Sequence, residues 1–497
     1  MITMELDELI ENIDCEKINY ENVEITGLSY NSKTTDDGNI FICLAGENTD
    51  GHNFVKDAEK RGAVAIFAEH EVESELPQII VKSTRHQVAD IADKFYGSPS
   101  KSINLIGVTG TNGKTTVTHL IQKIFEHESK RCALIGTLGY KLNSRDLYRE
   151  AKFTTPQAPE LQRLLYQIKF EYHIGNIAME VSSHSLEQRR VGNCDFNGAV
   201  LTNLTQDHLD YHITMDNYFD AKAILFKGLK EGGFAVINAD DEYAQKFIDV
   251  VPQGVKILTY AIKNKADIMA ENINFTADGA RFKLKYKNET TDVALHMNGM
   301  FSVYNVLAAL TTAAAHDLEL KSCLEALSDV TGVAGRFEIV HKKPMVIVDY
   351  AHTPDGLENV LKAGREITPE NGNLICLFGC GGDRDATKRP KMGAIAEKLA
   401  DKVVVTSDNP RSENPEQIIS DIMTGFKSVD SDKVVVESDR GKAIELLKNI
   451  AQENDVVIVA GKGHEDYQIL KDKTIHFDDR EEVKRVFEGT EEDEEEQ

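Results

Sequence analysis

The 497-residue chain is short of positive charge: 56 Lys and Arg stand against 82 Asp and Glu, a formal net charge of −26. Such a balance argues against nonspecific binding to nucleic acid or to an anionic membrane. It does not exclude an anionic small substrate, because a local Arg or Lys cluster can hold one inside an acidic protein. Paired or metal-spaced cysteines are also lacking. Cys15, Cys43, Cys132, Cys194, Cys323, Cys376 and Cys380 are odd in number, scattered and free of CxxC spacing. That predicts reduced thiols in a cytosolic protein rather than a disulfide framework or a zinc site. No apolar run approaches the roughly 18 residues of a membrane span. The segment MITMELDELIENIDCEK is acidic and has no apolar h-region, so no secretory signal is read. With 34 Gly and 11 Pro, the chain is neither collagen-like nor of low complexity. What remains is a soluble cytoplasmic protein with apolar residues enough for packed cores. Its length suggests about three domains of roughly 150 residues each.

Strand-like runs at Asn39–Leu44 and Gly62–Phe67 precede a linker-like stretch, Gly97-Ser98-Pro99-Ser100. A strand-like run, Ile103–Val108, then leads through GTNGKTT into a helical stretch, Val117–His127. Strand and helix signals alternate afterwards, at Asn176–Val181, Ala199–Asn203, Met215–Leu229 and Phe234–Asn238. From about residue 340 the alternation restarts with Met345–Val348, Asp355–Ile367, Leu374–Phe378, Val403–Thr406, Val434–Val436 and Val456–Ala460. This is the pattern of α/β domains with largely parallel sheets. Four of the later strands end in polar clusters, Asp349–His352, Gly381–Arg384, Asp408–Arg411 and Gly461–His464. Ligands of open α/β sheets bind beyond such carboxyl ends. The run Glu491–Glu496 predicts a solvated tail.

The sharpest local signal is Gly110-Thr111-Asn112-Gly113-Lys114-Thr115-Thr116. Glycines let backbone N–H groups close around phosphate oxygens, Lys114 adds a point charge, and a following hydroxyl suits Mg²⁺. The helix beginning there adds its positive dipole end. Val108 stands where the common phosphate-loop pattern has its first Gly. Past two further strands lie Glu180, a hard oxygen ligand, and His208, whose neutral imidazole could bind a metal; Lys222 follows on a helix. Taken singly, each is as readily structural or solvated. Taken together with the phosphate loop, they suggest a metal-assisted ATP site.

GTNGKTT, MEVSSH, NLTQDHLDYH with a downstream AK, GMFSVYN, GRFE and DYAHTPDGL occur in one order along the chain. In that order they resemble the Mur ligases, which build the peptide stem of bacterial peptidoglycan. DGH at 50–52, TTP at 154–156, GCGGDRD at 379–385, DNPR at 408–411 and GKGHEDYQ at 461–468 narrow the resemblance to members that add the third stem residue. It runs from about residue 25 to about residue 485. It implies three α/β domains: a small UDP-binding domain over 1–98, a central phosphate-loop ATPase domain over 99–335, and a C-terminal Rossmann-like, amino-acid-binding domain over 336–487. The acidic tail would be 488–497. The implied substrates are ATP, UDP-N-acetylmuramoyl-L-alanyl-D-glutamate and meso-diaminopimelate, handled by a monomer. The reaction would pass through an acyl phosphate.

The resemblance also assigns roles. Thr115, Glu180, His208 and Lys222 would hold Mg²⁺, Lys222 as a carbamate formed with CO₂. Lys114 would serve catalysis beside them. Asn305, Arg336 and Asp349 would surround the nucleotide, with His352 a weaker candidate on that side. Ser32, Thr154, Thr155, Ser182, Gln188 and Arg190 would hold the UDP-linked peptide. Arg189 is an equally basic neighbour that sequence alone does not reject. Asn31-Ser32-Lys33 departs from the Asp-Ser-Arg common in the family. Arg384, Asp408, Asn409, Pro410, Arg411, Gly461 and Glu465 would form the amino-acid pocket. Arg411 offers a planar fork for a second carboxylate and would repel the side-chain ammonium of lysine. Glu465 would suit the distal ammonium. The alternatives are the same ligase using L-lysine and a relative of the folylpolyglutamate or D-Ala-D-Ala-adding type. From other classes come a partner-coupled ATPase and a catalytically dead binding protein.

Overall fold

The computed structural model describes residues 2–46, 49–143, 147–149, 151, 153–276, 279–428 and 433–488. The Glu491–Glu496 run, and with it nearly all of the expected tail, lies outside the described residues.

Three large sheets organise the chain, of five, eleven and six strands. The first orders Glu16–Ile18, Gln78–Ile80, Ala65–Ala68, Asn39–Ile42 and Gly27–Ser29, parallel except for its first strand. The helix Thr84–Phe95 covers it and packs on Ala158–Tyr166 of the second unit, with Ala158 inside the first unit's apolar core. The Gly97–Ser100 stretch is an ordered turn rather than a loose tether. Gly97 and Ser98 take positive φ, and the Oγ of buried Ser100 accepts the Asp195 N–H at 3.0 Å.

The second sheet is centred on Asn104–Thr109, flanked by Asn176–Glu180 and Gly198–Leu201 in parallel register. These strands are apolar runs buried along nearly their whole length, as a sheet covered on both faces requires. The helices Lys114–His127 and Met300–Ala315 pack against one another on one face. Because the chain continues to one side of Asn104–Thr109 and later returns on the other, the strand order reverses there. A crevice opens at the carboxyl ends of such a switch point. The far edge carries Ile268–Thr276, Gly279–Tyr286 and Glu289–Leu295, an antiparallel meander that the α/β pattern did not anticipate. Alternation of buried and exposed residues in Gly279–Tyr286 is its signature.

In the third sheet Val456–Ala460 lies between Met345–Asp349 and Leu374–Phe378, with Lys402–Val405 and Val434–Val436 beyond. Glu338–Lys342 adds an antiparallel edge that the sequence reading lacked. Apolar clusters cover both faces. The carboxyl ends of this sheet face the phosphate loop. Asn112 Nδ2 donates to Asp355 Oδ2 at 2.9 Å, and Asp355 opens the helix Pro354–Ile367. That helix is capped by Thr353, whose hydroxyl accepts the Gly356 N–H, with Pro354 at its first position.

Candidate active site

The phosphate loop depends on glycine at two points. Gly110 (φ 149°) and Gly113 (φ 88°) occupy backbone regions that side chains avoid. A Cβ on Gly110 would lie 1.8 Å from Thr202 Oγ1, and one on Gly113 would lie 2.4 Å from Asn305 Oδ1. Gly113 precedes the helix Lys114–His127, so the first helical N–H groups point into the crevice. Lys114 Nζ donates to Gly110 O and Thr111 O, both at 2.9 Å, and burial lowers its pKa. Thr111 Oγ1 donates to Thr205 O. Thr116 lines the larger cavity described below.

Glu180 is fully buried at the end of its strand. It accepts from Thr115 Oγ1 at 3.0 Å, Thr137 N at 2.9 Å and Thr137 Oγ1 at 3.1 Å. Arg336 reaches the same hydroxyl, donating from Nη2 to Thr115 Oγ1 at 3.2 Å. Lys222 is 1% exposed, with Nζ 3.0 Å from Gly110 O and 4.5 Å from the centre of the Tyr218 ring. Burial first, then the nearby Lys114 charge, push its pKa well below the ordinary lysine value. His208 takes a left-handed backbone (φ 53°), with Nε2 3.2 Å from Asp207 Oδ2. Burial pushes its pKa down to about 3, although Asp207 opposes this, so the ring is neutral. Asp207 itself is buried, but His208, His352 and Lys388 outweigh that and hold it at about 2.

Among the described residues no group of three or more His, Cys, Asp and Glu side chains is placed to hold a metal. The sequence-derived set has only Glu180 and His208 of those types, with Thr115 adding a hydroxyl. Hard oxygens and a neutral imidazole are compatible with Mg²⁺. An ammonium is not, so Lys222 belongs to such a set only as a carbamate.

Two cavities flank this centre. The larger, about 300 Å³, is lined from the second unit by Asn112, Gly113, Thr116, Asn203 and Asn305, and from the third by Arg336, Asp349, Tyr350 and Asp355. It thus unites the three nucleotide-side candidates, Asn305, Arg336 and Asp349. The Asp349 carboxylate accepts the Phe337 and Ala351 N–H groups, each at 2.7 Å, and Arg336 stacks 4.3 Å from the Tyr350 ring centre. Sequence reasoning missed Asp240, Tyr304 and Asp355 here. Tyr304 sits inside GMFSVYN and donates to Asp240 Oδ2 at 2.8 Å, so that motif carried a signal.

The smaller cavity, about 180 Å³, gathers Arg384, Asp408, Asn409, Arg411, Gly461 and Glu465 from separate strand ends, with His208 on its wall. Pro410 lies within the turn that presents them. Arg411 holds φ 51°, and its Nη1 donates to Gly382 O at 2.9 Å. Asn409 Nδ2 donates to Glu465 Oε2 at 2.8 Å. Burial and the neighbouring Asp408 raise the Glu465 pKa, while Lys462 opposes them. Asp408 Oδ1 and Asp385 Oδ2 are buried without a hydrogen-bond partner. His352, expected on the nucleotide side, lines this cavity instead: its Nε2 stands 3.9 Å from Asp207 Oδ2, across the crevice. Lys388, Asp385, Asp207 and Lys462 were not singled out from sequence.

On the other side of the phosphate loop, Thr155 Oγ1 donates to Glu180 O and accepts the Ser182 N–H. Thr154 Oγ1 lies 3.1 Å from Thr137 Oγ1. Arg190 donates to Gln188 Oε1 through Nε and Nη2 and to Thr155 O through Nη1. Arg189 turns away, paired with Asp90 at 3.4 Å, so Arg190 is the arginine that joins the group. Ser32 stays apart, in the first unit's 3₁₀ turn Ser32–Thr34. The neighbouring Tyr30 connects that turn to Glu160 at 3.2 Å.

Strand ends from two α/β units that converge on a phosphate loop, with a third unit attached, define a multidomain phosphate-loop protein. The chain belongs to the Mur ligase family. Residues 24–96 match the Mur ligase family catalytic domain, 108–313 the Mur ligase middle domain and 335–463 the Mur ligase glutamate ligase domain. It is 44% identical to the UDP-N-acetylmuramoyl-L-alanyl-D-glutamate–2,6-diaminopimelate ligase of Halalkalibacterium halodurans, over 96% of this chain and 97% of that one. It is 43% identical to the ligase of that name from Syntrophomonas wolfei, over 98% and 99%. A solved structure of a ligase of that name matches with a TM-score of 0.65 at 33% identity, over 98% of this chain and 99% of that one.

Proposed function

We propose that this chain is an ATP-dependent amide ligase joining meso-diaminopimelate to UDP-N-acetylmuramoyl-L-alanyl-D-glutamate. The observation that carries the reading is the smaller cavity. Arg384, Asp408, Asn409, Arg411, Gly461 and Glu465, scattered over 82 positions of sequence, meet in one charged space beside His208. Arg411 and Arg384 suit the second carboxylate of diaminopimelate, and Asp408 with Glu465 suits its distal ammonium. Residues 1–98 would hold the UDP end, 99–335 the ATP and 336–487 the amino acid. The protein would act as a cytoplasmic monomer; among the described residues no helix is long and apolar enough to cross a membrane.

A carboxylate is a poor acyl donor. One oxygen of the peptide's terminal carboxylate would bond to the γ-phosphorus of ATP, and ADP would depart. The amine nitrogen of the amino acid would then attack the acyl carbon, and the tetrahedral adduct would lose a proton and inorganic phosphate. Carboxylate and triphosphate repel one another, so cationic groups must bring them together. Lys114 supplies one charge, and the helix N-terminus behind Gly113 supplies backbone donors. Mg²⁺ held by Thr115, Glu180, His208 and carbamylated Lys222 would offset the remaining negative charge. Carbamylation requires a neutral amine, and the buried setting of Lys222 favours that form. Arg190, fixed by Gln188, would steer the peptide.

A coupled phosphate-release assay with UDP-N-acetylmuramoyl-L-Ala-D-Glu tests the reading. Release should require the amino acid, with kcat/KM for meso-diaminopimelate well above that for L-lysine. Equal or better use of lysine refutes the specificity. Hydrolysis that needs neither substrate favours a partner-coupled ATPase.

A further inference from the structure

Lys462 is fully buried behind the smaller cavity, between Gly461 and Gly463. Its Nζ lies 3.3 Å from Glu465 Oε2, 3.3 Å from Asn409 Oδ1 and 3.7 Å from Asp408 Oδ1. The Tyr467 ring centre is 5.6 Å away on the other side. Asp408 is buried, the Glu465 side chain keeps 13% of its surface exposed, and the two act on one another electrostatically. Two such carboxylates in low dielectric repel, and one of them takes up a proton unless a cation lies between them. Arg384, Arg411 and buried Lys388 line the same cavity, none of them in an ion pair with Asp408 or Glu465 among the described residues, and buried Arg440 is bound by Asp479 at 2.7 Å on two nitrogens. Tyr350 and Tyr467 stand beside the pair as neutral groups, and Asp207 and Asp385 are further carboxylates of the same wall. Asp408 Oδ1 is left without a hydrogen bond.

We propose that Lys462 is a positioning residue for amino-acid recognition: it holds Asp408 and Glu465 together as ionised carboxylates with a net single negative charge, the complement of one ammonium. Lys462 does not line the cavity and acts through Glu465 and Asp408, which do. Its charge offsets one of the two, and its contact with Asn409 fixes the amide that donates to Glu465. Without it, Glu465 would protonate and offer a hydroxyl where an ammonium needs an acceptor. The inference rests on the diaminopimelate reading. That reading falls on the wild-type chain alone, if it does not prefer diaminopimelate to lysine; the inference falls on the variants.

The test uses steady-state kinetics of the full chain at saturating ATP and UDP-peptide. The amino acids are meso-diaminopimelate and 2-aminopimelate, which keeps both carboxylates and lacks the distal amine. Lys462→Met should raise KM for diaminopimelate about 10-fold or more, as for loss of a charge-assisted contact. Its kcat and its KM for ATP should stay near wild type, and its preference for diaminopimelate over 2-aminopimelate should shrink. Lys462→Met combined with Glu465→Gln should be no worse than Glu465→Gln alone. Lys462→Arg, which keeps the charge, should recover most of the affinity even if the Met variant folds poorly. An unchanged KM in the Met variant, equal losses on both amino acids, additive losses in the double variant, or an Arg variant as impaired as the Met variant would each overturn the proposal.

Discussion

The two cavities differ in what their charges are already bound to. In the larger one the carboxylates are occupied. Asp240 accepts the Ile262, Lys263 and Asn264 N–H groups, Asp241 accepts that of Leu204, Asp349 those of Phe337 and Ala351, and Asp355 the Asn112 amide. What that space offers a ligand is shape, an aromatic face, neutral amides and one cation, Arg336, whose Nε is buried without a hydrogen bond. In the smaller one Asp408 and Asp385 each keep a buried oxygen without a hydrogen bond, the Asp408 oxygen 3.7 Å from Lys462 Nζ, and Arg384, Arg411 and Lys388 share the wall with them. A charge bonded to its own backbone builds a wall, whereas a charge left open selects a ligand. On the proposed reading, specificity for a doubly charged amino acid would belong to the smaller space, where open charges of both signs meet.

The greatest disturbance should come from between the cavities. Lys222→Ala should lower kcat by about 1,000-fold or more while leaving both cavities intact. A short-chain carboxylic acid added to the assay should restore part of the rate, and full activity of the Ala variant without it would remove Lys222 from the reaction. Next, Arg411→Ala should raise KM for diaminopimelate by about 10- to 100-fold, since an open charge loses its partner, with KM for ATP unmoved. Parallel loss of ATP affinity would erase the contrast. Acid should then act through burial. Burial pushes His208 and His464 down to about 3, and His119, His184, His316 and His352 to about 4. These rings bind protons only after unfolding once the pH drops below about 6.5, so stability is lost as pH falls from there towards 4. Tm should decline by about 5 °C or more between pH 7 and pH 5, and a flat Tm would show the rings to be solvated. Smallest of all, Asp355→Ala should raise KM for ATP only about 2- to 5-fold, the cost of one hydrogen bond between units. A larger effect would mean that the larger cavity also holds a ligand by an open charge.

Most of the parallel framework was legible. Phe234–Asn238, Leu374–Phe378, Val434–Val436 and Val456–Ala460 occur as strands with the bounds read from their apolar runs. The candidates that meet at the two cavities came from the family resemblance, and several of their motifs also sit at strand ends, Asn305 on the helix Met300–Ala315 being an exception. What escaped depends on contacts distant in sequence. Asp355 shows its place through Asn112, and Lys462 through Asp408 and Asn409 as well as its near neighbour Glu465. The choice between Arg189 and Arg190 was undecidable from composition. The left-handed backbone at Arg189 and its pairing with Asp90 favour Arg190. The meander Ile268–Leu295 was hidden because one of its faces is wet, which dilutes the apolar signal.

The glycines of GRFE and GKGHE lie back to back. A Cβ on Gly335 would stand 2.1 Å from His464 N, and one on Gly463 would stand 2.6 Å from Gly335 O. Gly335 lies where the second unit passes into the third, so a side chain at either glycine would force the two backbone segments apart. Lys462 and Glu465 stand one and two positions from Gly463, and the wall they form would shift with it. Two motifs far apart in sequence thus share one requirement, the absence of a side chain where they touch.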